Sequence, residues 1–94
     1  MTGLNGIMTE PVTVLYFAWL RERTGVAQET VVLPDGVDTV ADLIAHLSAR
    51  DAGHAAAFRD PKIVRCAINQ EFEHASSPVR PGDEVAFFPP VTGG

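Results

Sequence analysis

Apolar and polar positions along this chain separate several strands from one clearly amphipathic helix. Val12-Thr13-Val14-Leu15-Tyr16-Phe17 is β-branched, aromatic and nearly continuous in its apolarity. That pattern predicts a central strand covered on both faces, or nearly so. Residues 18–23 favour a short helical turn, and Gly25 is placed to end it. Residues 28–33 read as a second strand, closed by the turn signal Pro34-Asp35-Gly36. The strongest helix signal follows. Thr39 and Asp42 have capping-box spacing. Val40, Leu43, Ile44 and Leu47 then fall at i, i+3, i+4 and i+7 on one stripe. Asp51-Ala52-Gly53 is read as the end of that helix, and the alanine-rich stretch to Phe58 has room for another short helical turn. Residues 63–69 read as a third strand, with Val64, Cys66 and Ile68 on one face. Asn69-Gln70-Glu71 turns into a short strand around Phe72-Glu73-His74, and Pro81-Gly82-Asp83 turns into a last strand at residues 84–88.

A small sheet with one long helix must bury the helix stripe on a sheet face, which predicts an α+β fold of about five strands on one main helix. The 94 residues suit one domain, and a hydrophobic fraction of 46% is too high for a disordered chain. The expected division is a disordered lead-in over residues 1–10, a domain over 11–90 and a flexible tail over 91–94. Met8 is an alternative start.

Charge and side-chain chemistry then exclude function classes. A net charge of −5 makes nucleic acid a poor partner, since phosphate binding needs a basic patch, and favours a basic partner surface. A lone Cys66 forms no internal disulfide, and it sits in an apolar alternation that suits a buried small hydrophobe. The N-terminus lacks the pattern of a signal peptide, and no apolar run approaches membrane-span length, so a cytoplasmic protein without membrane contact is expected. His46, His54 and His74 do not share metal-ligand spacing, so no metal site is expected; His46 lies off the apolar stripe and is read as solvated. Most acidic residues are read as solvated surface. No nucleophile–base pattern or phosphate-binding loop is present.

The remaining candidate chemistry lies in Val85-Ala86-Phe87-Phe88-Pro89-Pro90-Val91-Thr92-Gly93-Gly94. Terminal glycines add no apolar area to a core and cost backbone entropy to order. They offer a slim arm ending in a carboxylate. From Pro89 to Gly94 an extended chain spans roughly 20 Å at about 3.3–3.6 Å per residue, enough to cross a pocket wall. Alternation sends Phe87 and Phe88 to opposite faces, one into the core and one beside the tail as a partner anchor. Phe17 and Arg21 join Phe87 and Phe88 as candidate interface residues, with Arg21 open between a solvated helix residue and an interface charge.

The segment from Gly82 through Gly94 closely resembles the C-terminal signature of the small-subunit family of molybdopterin synthase, the MoaD type. Leu15-Tyr16-Phe17-Ala18 followed by Leu20-Arg21-Glu22 is similar to that family's opening strand and helix, and Ala67-Ile68-Asn69-Gln70 to one of its turns. The likeness spans about residues 11–94. It implies a ubiquitin-like β-grasp fold and a sulfur carrier. A ubiquitin-activating-type enzyme would adenylate Gly94 with ATP, and the adenylate would become a thiocarboxylate. Pro90, Val91, Thr92 and Gly93 would thread into the large subunit. There the sulfur would pass to cyclic pyranopterin monophosphate, forming the dithiolene of molybdopterin. The resemblance also implies a heterotetramer of two small and two large subunits, with no cofactor bound by this chain. Rival readings are a carrier of the same fold in thiamin thiazole synthesis or tRNA thiolation, a ubiquitin-like modifier, and a passive interaction module.

Overall fold

The computed structural model describes residues 10–90. Their elements are β1 (Val12–Tyr16), α1 (Trp19–Thr24), β2 (Gln28–Val31), α2 (Val40–Ser48), α3 (Ala52–Ala57), β3 (Arg65–Ile68), β4 (Glu71–Glu73) and β5 (Glu84–Phe88), with a 3-10 turn at Pro61–Ile63. The strands form one mixed sheet in the order β2-β1-β5-β3-β4. The two central strands, first and last in sequence, run parallel, with Thr13 opposite Glu84 and Tyr16 opposite Phe87. The other neighbours are antiparallel. α2 lies against one face of this sheet, the arrangement of a ubiquitin-like β-grasp.

The helix forms as its sequence dictates. Thr39 Oγ1 accepts a hydrogen bond from the Asp42 amide, and the Asp42 carboxylate accepts one from the Thr39 amide, both at 3.2 Å. Val40, Leu43 and Leu47 are then fully buried, with Ile44 half-buried at the edge of the stripe. Facing them are Val12, Val14 and Tyr16 of β1 and Val85 and Phe87 of β5, each at most 2% exposed. Gly25 ends α1 in the left-handed conformation, its amide bonded to the Arg21 carbonyl. Asn69 and Gln70, both at positive φ, make the two-residue turn between β3 and β4.

Four expectations are corrected. Among the described residues β1 is covered on one face only: Thr13 and Leu15 on its other face are half-exposed, and no described helix lies over them. β2 stops at Val31, and Val32 is exposed. β3 begins at Arg65, because Asp60 caps the Lys62 amide and Pro61 starts a 3-10 turn in the residues before it. Asp51 does not end α2; it starts α3, its carboxylate accepting the His54 amide at 2.8 Å. At Gly53 an added Cβ would lie 2.4 Å from the Arg23 carbonyl oxygen, so a glycine is what lets α3 approach the end of α1.

A polar cluster joins α3 to the sheet, and its pattern is invisible in sequence because its members are far apart. His54, 3% exposed, places Nδ1 2.8 Å from Asp51 Oδ1 and Nε2 2.7 Å from Glu29 Oε2. Tyr16 donates its hydroxyl to the same Glu29 oxygen at 2.7 Å, and Arg50 pairs with the other oxygen. With a carboxylate on each ring nitrogen, His54 is held as an imidazolium that donates twice. Burial alone pulls its pKa down, but the bonds and charges of Asp51 and Glu29 outweigh burial and raise it above 6.5. Burial pushes Glu29 up, yet Tyr16, His54 and Arg50 together hold it below its usual value. Asp51 is lowered by the His54 amide first and then by the ring. Glu29 is therefore no solvated surface acid.

These shifts set a stability window. The His54 contribution is complete below its unfolded pKa near 6.5 and is lost as pH rises through the raised folded value. The carboxylate contributions are complete above about pH 5 and are lost as pH falls through the lowered folded values. Melting temperature should peak between about pH 5 and 6.5 and decline on both sides. His54→Gln should lower stability at pH 6 by about 2 kcal/mol and flatten the alkaline arm. Thermal melts across pH check this; an unchanged alkaline arm in the variant would show that the ring is neutral in the fold.

Candidate functional site

The sheet face opposite α2 carries the second set of alternating residues. Register places Leu15 of β1 beside Ala86 of β5, Ala86 beside Ala67 of β3, and Ala67 beside Phe72 of β4. This row is apolar across four strands, and among the described residues no helix lies on it. Phe72 is 79% exposed. Phe88 flanks the row, its ring centroid 5.8 Å from that of Phe72. At the same end of the sheet Phe17 is 49% exposed, and Arg21 projects from α1 as an exposed residue. Leu15 and Ala86 are half-buried and Ala67 is buried, so the exposed part of this surface is its aromatic β4 edge, a form suited to protein binding.

The chain leaves the sheet beside this patch. β5 is the middle strand, and Phe88-Pro89-Pro90 carries the backbone off its end, all three residues half-buried. Two prolines have no amide to donate, so the strand cannot be extended as a ladder past Phe88. The proposed reactive end, Gly94, and the threading residues Val91, Thr92 and Gly93 lie outside the described residues.

Phe87 is corrected as an interface residue. It is fully buried, stacked 6.2 Å from Tyr16 and edge-on to Phe58 at 4.9 Å. The alternation of β5 sends it to the helix face because Val85 and Phe87 share that face. Of the pair, Phe88 is the one available to a partner. Phe72 and Leu15 belong to the patch and were missed in sequence. The signal was Glu71-Phe72-Glu73, a lone aromatic between acids in a short edge strand, whose outward direction depends on register with β3.

No catalytic chemistry competes with this surface among the candidates read from sequence. Burial and the charge of Glu73 raise the Cys66 thiol, which donates a weak bond to the Glu73 carbonyl at 3.5 Å. A neutral, hydrogen-bonded core thiol is a poor nucleophile. His46 is half-buried rather than solvated, and His54 is held by its two carboxylates.

Comparison with known proteins agrees with the fold and with a likeness that spans nearly the whole chain. Residues 14–94 match the model of the ThiS family. The chain belongs to the ThiS family. It is 43% identical over 83 residues to the molybdopterin synthase sulfur carrier subunit of Escherichia coli K12, covering 88% of this chain and 99% of that protein. It is 41% identical, with the same coverage, to the molybdopterin synthase sulfur carrier subunit of Haemophilus influenzae. Among solved structures it resembles the small archaeal modifier protein 1 of Haloferax volcanii, with a TM-score of 0.67, 26% identity, and coverage of 87% of this chain and 99% of that one.

The burial difference between neighbouring aromatics has a direct consequence. Phe87→Ala should cost about 3–5 kcal/mol, because it removes a ring from a closed aromatic cluster. Phe88→Ala and Phe72→Ala should each change stability by less than about 1 kcal/mol. Urea denaturation of the three variants checks the contrast; equal losses at Phe87 and Phe88 would contradict the one-sided sheet.

Proposed function

We propose that this chain is the sulfur-carrier subunit of a molybdopterin synthase. The observation that carries the reading is the match, over 88% of the chain, to proteins named for that role, in a fold whose middle strand leads directly into Pro89-Pro90-Val91-Thr92-Gly93-Gly94. A carrier needs no catalytic residues of its own. It needs a rigid body that a partner can grip and an end that reaches into the partner. The exposed face around Phe72, Phe88 and Phe17 suits the grip, and the tail suits the reach.

The chemistry follows from the terminal carboxylate. A carboxylate is a poor electrophile. Adenylation of Gly94 with ATP, by a ubiquitin-activating-type enzyme, makes its carbon attackable, and sulfur then replaces the adenylate to give a thiocarboxylate. The thiocarboxylate is a good sulfur nucleophile at neutral pH. The large subunit takes up the tail and holds cyclic pyranopterin monophosphate, to which two carriers in turn pass one sulfur each to build the dithiolene, each Gly94 returning to a carboxylate. Gly93 and Gly94 keep side chains out of that path. The word subunit in the relatives' names supports a larger partner, and two copies of each chain are the proposed assembly.

The fold is shared with a small archaeal modifier protein, so attachment to lysines is the reading to discriminate. Intact mass of the chain from cells distinguishes the two: a carrier shows one oxygen replaced by sulfur, and a modifier shows conjugates of many masses. Deleting Gly94, or adding a residue after it, should abolish sulfur transfer while leaving the melt unchanged. Deletion draws the carboxylate back by about 3.5 Å. That is as large as the separation of about 3–3.5 Å that reacting atoms require. Phe88→Ala should weaken binding to the large subunit by about 2 kcal/mol. The assay is synthase activity with chemically prepared thiocarboxylate, beside a binding measurement. Wild-type transfer from either end-altered variant, its end verified by mass, would overturn Gly94 as the sulfur-bearing residue.

A further inference from the structure

The charges of this chain are segregated along its strands, and the segregation opposes its net charge at the end that matters. Arg21, Arg23, Arg59, Lys62 and Arg65 are five of the seven cations, and all five are exposed. The fold gathers them at the end where β1 and β5 finish. Arg65 stands opposite Phe88 in the sheet, and its guanidinium donates to the Lys62 carbonyl at 2.9 Å. Arg23 donates to the Ala56 carbonyl, the same oxygen that accepts the Arg59 amide. Arg21 lies on α1, the helix that follows Phe17, whose amide bonds the Phe87 carbonyl. Among the described residues none of the five forms a salt bridge. The acids on these same segments are Glu22 and Asp60, and Glu73 lines the same depression as Arg65, so the local balance is +2 where the whole chain is −5.

The opposite end is acidic. Glu84 begins β5 directly after Asp83, Glu71 begins β4 beside them, Glu10 lies against Gly82, and Arg80 is the cation among them. Asp35 and Asp38 line the same depression as Pro81. Glu29 and Asp51 lie apart from both ends in effect, because Arg50 and His54 neutralise them.

Magnitudes decide which charge a partner feels. A five-residue strand such as β5 is about 16 Å long, at about 3.3 Å per residue. The Debye length at physiological salt is about 8 Å. A surface that receives the tail is within reach of the cations and largely screened from the acids behind them. We propose that these cations form a collar around the root of the tail, and that the collar docks on an acidic rim surrounding the pocket that takes the tail. Phe17, Ile63 and Phe88 stand exposed or half-buried among the cations, the apolar centre and charged rim of a protein–protein contact. A long polyanion would also meet the acidic end, which makes nucleic acid the poorer fit. The field of such a molecule turns it tail-first during approach. The expectation of a basic partner, drawn from net charge, is thereby reversed for the docking end.

The inference rests on the carrier reading only for the name of the partner, and its test has two arms. The first uses a glutamate-rich peptide titrated into the isotopically labelled chain. Amide shifts confined to residues 21–23 and 59–65 support the collar, and their absence overturns it. Tighter binding of a single-stranded oligonucleotide than of the peptide also overturns it, in favour of nucleic acid. The second arm measures the association rate with the large synthase subunit at low and physiological salt. Arg59→Glu with Lys62→Glu should slow association about tenfold at low salt, with the melt unchanged. Arg21→Gln, a single exposed change, should slow it in the same direction. Asp35→Asn with Glu71→Gln, at the far end, should leave the rate within about twofold. If steering followed net charge, the first variant would bind faster, and that result would overturn the proposal. Failure of the wild-type chain to bind the large subunit, with collar shifts seen in the first arm, would instead refute the carrier assignment and leave the collar standing.

Discussion

The parallel pairing of the first and last strands is the constraint on which the rest of the structure depends. Parallel neighbours cannot be joined by a tight turn, so the whole intervening chain becomes a crossover. That crossover contains α2, which is laid across the sheet and closes the core over Val14, Tyr16, Val85 and Phe87. The same pairing puts β5 in the middle of the sheet rather than at an edge. The chain that leaves from this middle strand is anchored on both sides up to Phe87 and on the β3 side at Phe88. The point from which the tail departs is therefore as rigid as the core, whatever the tail itself does.

A sheet covered on one face divides its aromatics by parity. Tyr16, Phe58 and Phe87 meet on the helix side in a closed cluster, while Phe72 and Phe88 meet on the other with no described helix above them. The buried set supplies stability, and the exposed set is available for recognition. The polar lock of His54 with Glu29, Asp51, Tyr16 and Arg50 supports the division from the side, tying α3 to β1 and β2. Its strength comes from a cation held between two carboxylates, which is also why it responds to pH in both directions.

A carrier body can govern a reaction through position and field. Sulfur transfer would take place at an end carried by this fold, in a pocket made by another protein. What the fold contributes is a fixed launch point, an apolar face next to it and, on the docking proposed above, a collar of cations around it. Net charge is a poor guide to such a surface, because salt screens charges a strand length away far more than those at the contact. The chain is acidic as a whole and basic where its tail begins.

The sequence by itself determined what is local. The capping box and apolar stripe of α2, the left-handed glycine after α1 and the turn at Asn69-Gln70 depend on neighbours within a few residues, and their physics is complete in the segment. The opposite orientation of Phe87 and Phe88 follows from strand period alone, and the likeness of the tail to a known family needs only its order of residues. Tertiary structure decided which aromatic faces inward, because parity becomes inside or outside only once a helix covers one face. It decided that Glu29 and His54, 25 positions apart, share a proton-holding cluster. It also brought Arg21, Arg59 and Arg65 to one end of the sheet against the sign of the whole. Burial and electrostatics act through space, at distances that a one-dimensional pattern does not carry.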